Sequence, residues 1–237
     1  MEKKTPVLLP IRSVIFLLIF VIGAAIVGKS VDEIGSWWSI AATAVNILTL
    51  GLLILIAKRR GQTYFEMVNF HRGTPRKEMI VAVLVSLAVG YGGMNLAGLI
   101  FYGKLPYYPS GIVEPIPLVP AVINLLLLPV TTALAEDGLY LGYGVNGIRN
   151  KYAAVILPAF FYALQHCFIP TVFDAKYMIY RFVSFLPLTV VFCIYYRKKR
   201  NPLPIMIAHT ILDLATAVII LVTSADPGIY DKWMAAM

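Results

Sequence analysis

Charge is what this sequence has least of. Asp, Glu, Lys and Arg make up 14% of its 237 residues, against 59% apolar, whereas a soluble domain carries about 25% charged and 45–50% apolar residues. With a mean hydropathy of +0.80, that balance argues against a soluble enzyme. It implies an all-α, polytopic transmembrane helix bundle with no room for a large soluble domain. Cysteine is scarce too. Cys167 and Cys193 sit in separate apolar segments with no metal-ligand spacing, so both read as packing residues. The chain has no internal repeat and no low-complexity stretch. It also lacks the paired broken helices and repeat symmetry of many transporters, and the H-E-x-x-H signature of soluble metalloproteases.

What the chain does have is seven apolar runs, at about 7–27, 37–57, 78–102, 118–146, 153–169, 177–196 and 203–223. The first follows Lys3 and Lys4, and its small residues would suit a signal peptide. The run is long and no A-x-A site follows, so a retained helix is expected. The connector 58–77 is basic, and its YFEMVNF core is expected to lie on the membrane surface as a short amphipathic turn, with His71 solvated beside it. The stretch 103–117 is rich in Pro, Tyr and Gly and reads as an irregular loop. A short polar tail follows residue 223. With the N-terminus cytoplasmic, fifteen of the 20 Lys and Arg fall inside, Arg12 among them. Lys29, Lys104, Lys176, Arg181 and Lys232 fall outside. The net charge of +8 is then a topology signal, and nucleic acid is not an expected partner.

The informative residues are the polar ones inside the apolar runs. Glu136 and Asp137 stand side by side in a helix that lipid should surround, where each carboxylate costs about 2.5–3.5 kcal/mol even on the mild insertion scale. They lie about nine residues, roughly 13 Å, from the cytoplasmic end of their span. His209 lies roughly 9 Å in from the same side, with Asp213 one turn deeper on the same helix face. Tyr162 and His166 share that i, i+4 spacing, although simple counting puts His166 nearer the outer side. These residues together imply one site that gathers Glu136, Asp137, His166, His209 and Asp213. Tyr140, Tyr143 and Tyr162 read as packing or interfacial residues. Asn46, Asn95 and Asn124 read as helix-to-helix hydrogen bonds.

Such a set suits peptide hydrolysis, which needs an activated water, a proton for the leaving amine and a stabilised oxyanion. A buried Glu136 can take a proton from water and return it, with His166 orienting the same water. His209 and Asp213 would face the substrate carbonyl, with either His209 or a protonated Asp213 as the donor. Alternatively Glu136, His166 and His209 bind Zn²⁺ with an open fourth position. The sequence leaves metal-bound and metal-free chemistry both open.

At these residues the chain resembles the CPBP family (CAAX-protease and bacteriocin-processing, or Abi, proteins) of intramembrane endopeptidases. The family carries E-E-x-x-x-R, F-x-x-x-H and H-x-x-x-N/D on separate helices. This chain has Glu136-Asp137 with Leu141 in the arginine position, Tyr162 to His166, and His209 to Asp213. The resemblance covers about 120–222, within a catalytic core drawn at 118–223 of a single membrane domain 1–237. It implies a cytoplasm-facing hydrolytic cavity, a water-activating pair Glu136 and His166, and a second pair His209 and Asp213. It also implies a peptide or lipidated protein as substrate, and membrane lipid as surroundings. Three residues depart from the pattern: Asp137 for Glu, Tyr162 for Phe, and Leu141 for Arg. The last leaves the acids without the family's cation, and Arg181 and Arg149 are the candidate replacements. A non-catalytic scaffold or bacteriocin-immunity protein is the alternative, and a small transporter or proton relay a weaker third.

Overall fold

The computed structural model describes residues 6–236, so Lys3 and Lys4 lie outside the described residues. Seven apolar helices follow the seven runs. They are α1 (Ile11–Val27), α2 (Trp38–Arg59), α4 (Arg76–Tyr102), α6 (Leu118–Asp137), α7 (Ala153–Gln165), α8 (Ala175–Lys199) and α9 (Leu203–Ala225). Five of the helical stretches are long and apolar enough to cross a membrane, while α1 and α7 are shorter. No strand occurs among the described residues. The protein is an all-α, multi-pass membrane bundle.

The helices end where the chain gives them a reason to. Gly28 and Gly103 close α1 and α4 in the left-handed region, at φ 67° each, which glycine adopts without a Cβ penalty. The centre of the bundle is α6, which packs most extensively on α9 and α2; α8 lies against α4 and α7. At the α4–α8 crossing, a Cβ on Gly93 would sit 2.6 Å from the Ser184 carbonyl oxygen, so this contact requires glycine.

Polar side chains share the buried faces with apolar ones. The inward residues of α2 include Ser39, Thr43, Asn46 and Thr49. Large apolar side chains such as Leu48 and Leu55 are exposed to lipid instead. In α1 the buried stripe is Arg12, Phe16, Phe20 and Ala24, one residue per turn, with the arginine in phase with the apolar residues.

Three expectations need correcting. The connector does hold the short amphipathic turn expected, the one-turn helix α3 (Tyr64–Met67), but its Tyr64 and Met67 are buried in the bundle together with Val68. Thr63 and Glu66 make a reciprocal capping box there. The loop before α6 holds a short helix, α5 (Ser110–Val113). The polar tail is a helix, α10 (Pro227–Ala236), with no buried residue.

After Asp137 the chain leaves α-helical geometry and continues as a π-helix over Gly138–Val145, a rare form that is frequent at functional sites. Its glycines admit the neighbouring chain. A Cβ on Gly138 would meet the Tyr64 hydroxyl at 2.7 Å, and one on Gly142 would meet Val68 Cγ1 at 2.5 Å. The Tyr64 hydroxyl donates to the Leu134 carbonyl. α3 therefore buttresses the segment just after the two acids.

Candidate active site

The two acids have separate partners. Glu136 forms a buried ion pair with Arg12, whose Nη2 lies 2.8 Å from Glu136 Oε1. The same guanidinium donates to Gln165 Oε1 at 2.7 Å, Thr49 Oγ1 at 2.9 Å and Asn46 Oδ1 at 2.7 Å. Gln165 Nε2 closes the ring by donating to Glu136 Oε2 at 2.6 Å, and the Tyr140 hydroxyl donates to Gln165 Oε1 at 3.1 Å. Arg12 thus ties α1 to α2, α6 and α7 through charge-assisted bonds.

Asp137 belongs to a second chain. The Tyr162 hydroxyl donates to Asp137 Oδ1 at 2.9 Å and lies 3.0 Å from His209 Nδ1. A phenol has one proton, so His209 Nδ1–H donates to the phenol oxygen. His209 Nε2 is 3.7 Å from Asp213 Oδ2, and Asp137 Oδ1 is 3.5 Å from His209 Nδ1. The order is Asp137, Tyr162, His209, Asp213. The Tyr140 and Tyr162 rings, stacked at 4.3 Å, separate the two sets. Tyr162 is therefore a hydrogen-bonded part of the site, where a packing role was expected. Buried carboxylate oxygens are left over: Asp137 Oδ2 and Asp213 Oδ2 have no hydrogen-bond partner, which is costly in a dry interior.

His166 sits at the C-cap of α7. Its Nδ1 bonds the Tyr162 carbonyl at 2.9 Å. A carbonyl only accepts, so Nδ1 carries the proton and Nε2 keeps its lone pair. The ring stacks on Phe185 at 3.6 Å. His166 follows directly on the Gln165 that bonds Glu136.

The replacement cation is not one of those expected. Arg181 donates to the carbonyls of His166 and Ile169, and Arg149 is exposed in the loop after the π-helix. Arg12, counted from the sequence as a topology charge, is fully buried instead. Its signal was the phase it shares with Phe16, Phe20 and Ala24. Gln165 gave no signal, since a glutamine before a motif histidine is unremarkable. Of the asparagines, Asn46 and Asn124 do bond neighbouring helices, whereas Asn95 bonds the Tyr91 carbonyl of its own helix.

The donor set does not suit a zinc ion held by Glu136, His166 and His209. Both Glu136 oxygens are engaged by Arg12 and Gln165. Among the described residues no three His, Cys, Asp or Glu side chains are grouped to hold a metal. The cluster is also closed: Asp137 is 0% exposed, Glu136 3%, His209 6% and His166 8%. Only the Asp213 side chain, at 25%, reaches a surface. That burial contrasts with the open cavity expected at these residues. A cavity of about 510 Å³ lies elsewhere, lined by Lys104, Tyr108, Ile219 and Trp233.

Residues 118–215 match the family model described as type II CAAX prenyl endopeptidase Rce1-like. Over this segment the chain is similar to the CAAX-protease (CPBP) family. The CPBP match takes in Glu136, Asp137, Tyr162, His166, His209 and Asp213, and it leaves out Arg12. No curated protein and no solved structure matches the chain.

Proposed function

We propose that the protein is an intramembrane endopeptidase that hydrolyses a peptide bond in a prenylated, CAAX-type peptide or protein at the membrane. One observation carries this reading: within the family-matched segment, two adjacent buried acids each have a polar neighbourhood built from helices far apart in the chain.

The attacking water would sit between Glu136 and His166. Each carboxylate oxygen has two lone pairs, so Glu136 can accept a water proton while Arg12 and Gln165 hold its orientation. His166 Nε2 accepts from the same water. The water oxygen bonds to the carbonyl carbon as its proton passes to Glu136. His209, as an imidazolium between Asp137 and Asp213 with Nδ1–H held by Tyr162, would donate Nε2–H to the developing oxyanion. The tetrahedral adduct then collapses: the C–N bond breaks and the amine takes the proton back from Glu136. All groups in this sequence are the chain's own.

The test is cleavage of a farnesylated CAAX peptide in proteoliposomes. Glu136→Ala and His209→Ala are each expected to abolish it, and unchanged cleavage by both would end the reading. The closed cluster favours a second reading, a non-catalytic family member that binds a peptide. Peptide binding that survives Glu136→Ala and His166→Ala, without cleavage by the parent protein, would establish that one.

A further inference from the structure

We propose that Arg12 is a positioning residue of the active site, so that the working unit includes α1 as well as the family-matched helices. This inference rests on the protease reading and deepens it. Position 141, one π-helical turn beyond Glu136, holds a buried leucine and offers no cation. Arg12 reaches Glu136 from a helix more than 100 residues away in sequence. All three guanidinium nitrogens are bonded, to acceptors on three other helices. A guanidinium is a rigid planar fork, so these bonds fix its plane, and its plane fixes Glu136 Oε1. Gln165 is oriented by the same group and fixes Oε2. Both oxygens of the proposed base are thus aimed through Arg12, directly or through Gln165, the residue adjoining His166.

A lysine at position 12 keeps the charge and cannot make the fork, which separates charge from orientation. Arg12→Lys is expected to lower kcat for the farnesylated peptide about tenfold, with KM within about threefold. Arg12→Leu is expected to lower kcat about 100-fold, the scale of a misplaced reacting group. A residue that only braces the fold would lower the melting temperature and the active fraction without changing the pH profile of the surviving enzyme. Arg12→Lys is expected to move that profile. Should Arg12→Leu fail to fold, the double variant Arg12→Leu/Glu136→Gln removes both charges. Its melting temperature is expected above that of Arg12→Leu alone. Wild-type kcat and pH profile in Arg12→Lys, or strictly additive melting shifts in the double variant, would overturn the proposal. A parent protein inert toward the peptide would instead remove the protease reading, and the melting cycle would still decide whether Arg12 and Glu136 act as a pair.

Discussion

Glu136 and Asp137 are joined by one peptide bond and face different worlds. Successive helical residues point about 100° apart, so Glu136 looks toward α1, α2 and the end of α7, and Asp137 toward the middle of α7 and α9. The first finds a fixed cation and an amide, one donor on each oxygen. The second finds a phenol and an imidazole, groups that pass protons, and keeps one oxygen unpartnered. Two similar acids thus receive distinct environments from their neighbours alone: one held by a cation and an amide, the other bonded to a phenol beside an imidazole.

The comparison breaks most visibly when each acid is deleted. Glu136→Ala leaves Arg12 buried with no counter-charge, which costs about 3–5 kcal/mol, and removes the proposed base, worth about 10²–10⁴ in rate. Asp137→Ala strands a phenol and an imidazole, a penalty of about 1–3 kcal/mol. Thermal melting of both variants in one detergent should therefore rank Glu136→Ala as the less stable. The reverse order would mean that the ion pair is the weaker of the two environments.

Tyr162→Phe sharpens the contrast further. It keeps the ring that stacks on Tyr140 and deletes only the hydroxyl between Asp137 and His209. The expected loss is about 1–3 kcal/mol, with cleavage about tenfold slower. Combined with Asp137→Asn the losses should be less than additive, while combined with Arg12→Lys they should simply add. Coupling to Arg12 as strong as to Asp137 would merge the two sets into one.

The spans were readable because about 20 apolar residues in a row have few alternatives. The acids and histidines were readable because each is costly where it stands. What escaped is what depends on pairing. Arg12 resembles any basic residue at a span's end until α2, α6 and α7 bring it acceptors. Tyr162 looks like a packing aromatic until the fold brings its hydroxyl to Asp137. The π-helix was equally hidden, since hydrophobic periodicity over eight residues does not separate it from an α-helix. At the three departures from the family pattern, Leu141 is buried while Arg12 pairs with Glu136, and Asp137 and Tyr162 bond each other.

A third perturbation should touch both acids alike. Gly142→Ala places a Cβ 2.5 Å from Val68 Cγ1, and overpacking of that kind costs about 1–3 kcal/mol. Because α3 buttresses the segment that follows both acids, the stability gap between Glu136→Ala and Asp137→Ala should persist in a Gly142→Ala background. Val68→Ala should restore much of the lost melting temperature. A gap that closes would place the buttress under one acid only.

The smallest expected effect is a pH dependence at that same buttress. Bonds from the Thr63 backbone and then the Thr63 hydroxyl hold the Glu66 carboxyl below its ordinary 4.5. A carboxylate whose pKa is depressed in the folded state contributes stability that is complete above the unfolded value and is lost as pH falls through the folded one. α3 should therefore be fully capped at neutral pH and loosen only below 4.5, where Glu66 protonates. Amide exchange at residues 64–68 should rise there relative to α2, and Glu66→Gln should flatten the difference. Glu66 is fully exposed, so salt and solvent screen the effect and cleavage at neutral pH should not change. If Glu66→Gln nevertheless altered the relative rates of the Glu136 and Asp137 variants, the buttress would be setting the acids' roles, and the division between them would no longer follow from Arg12 and Tyr162 alone.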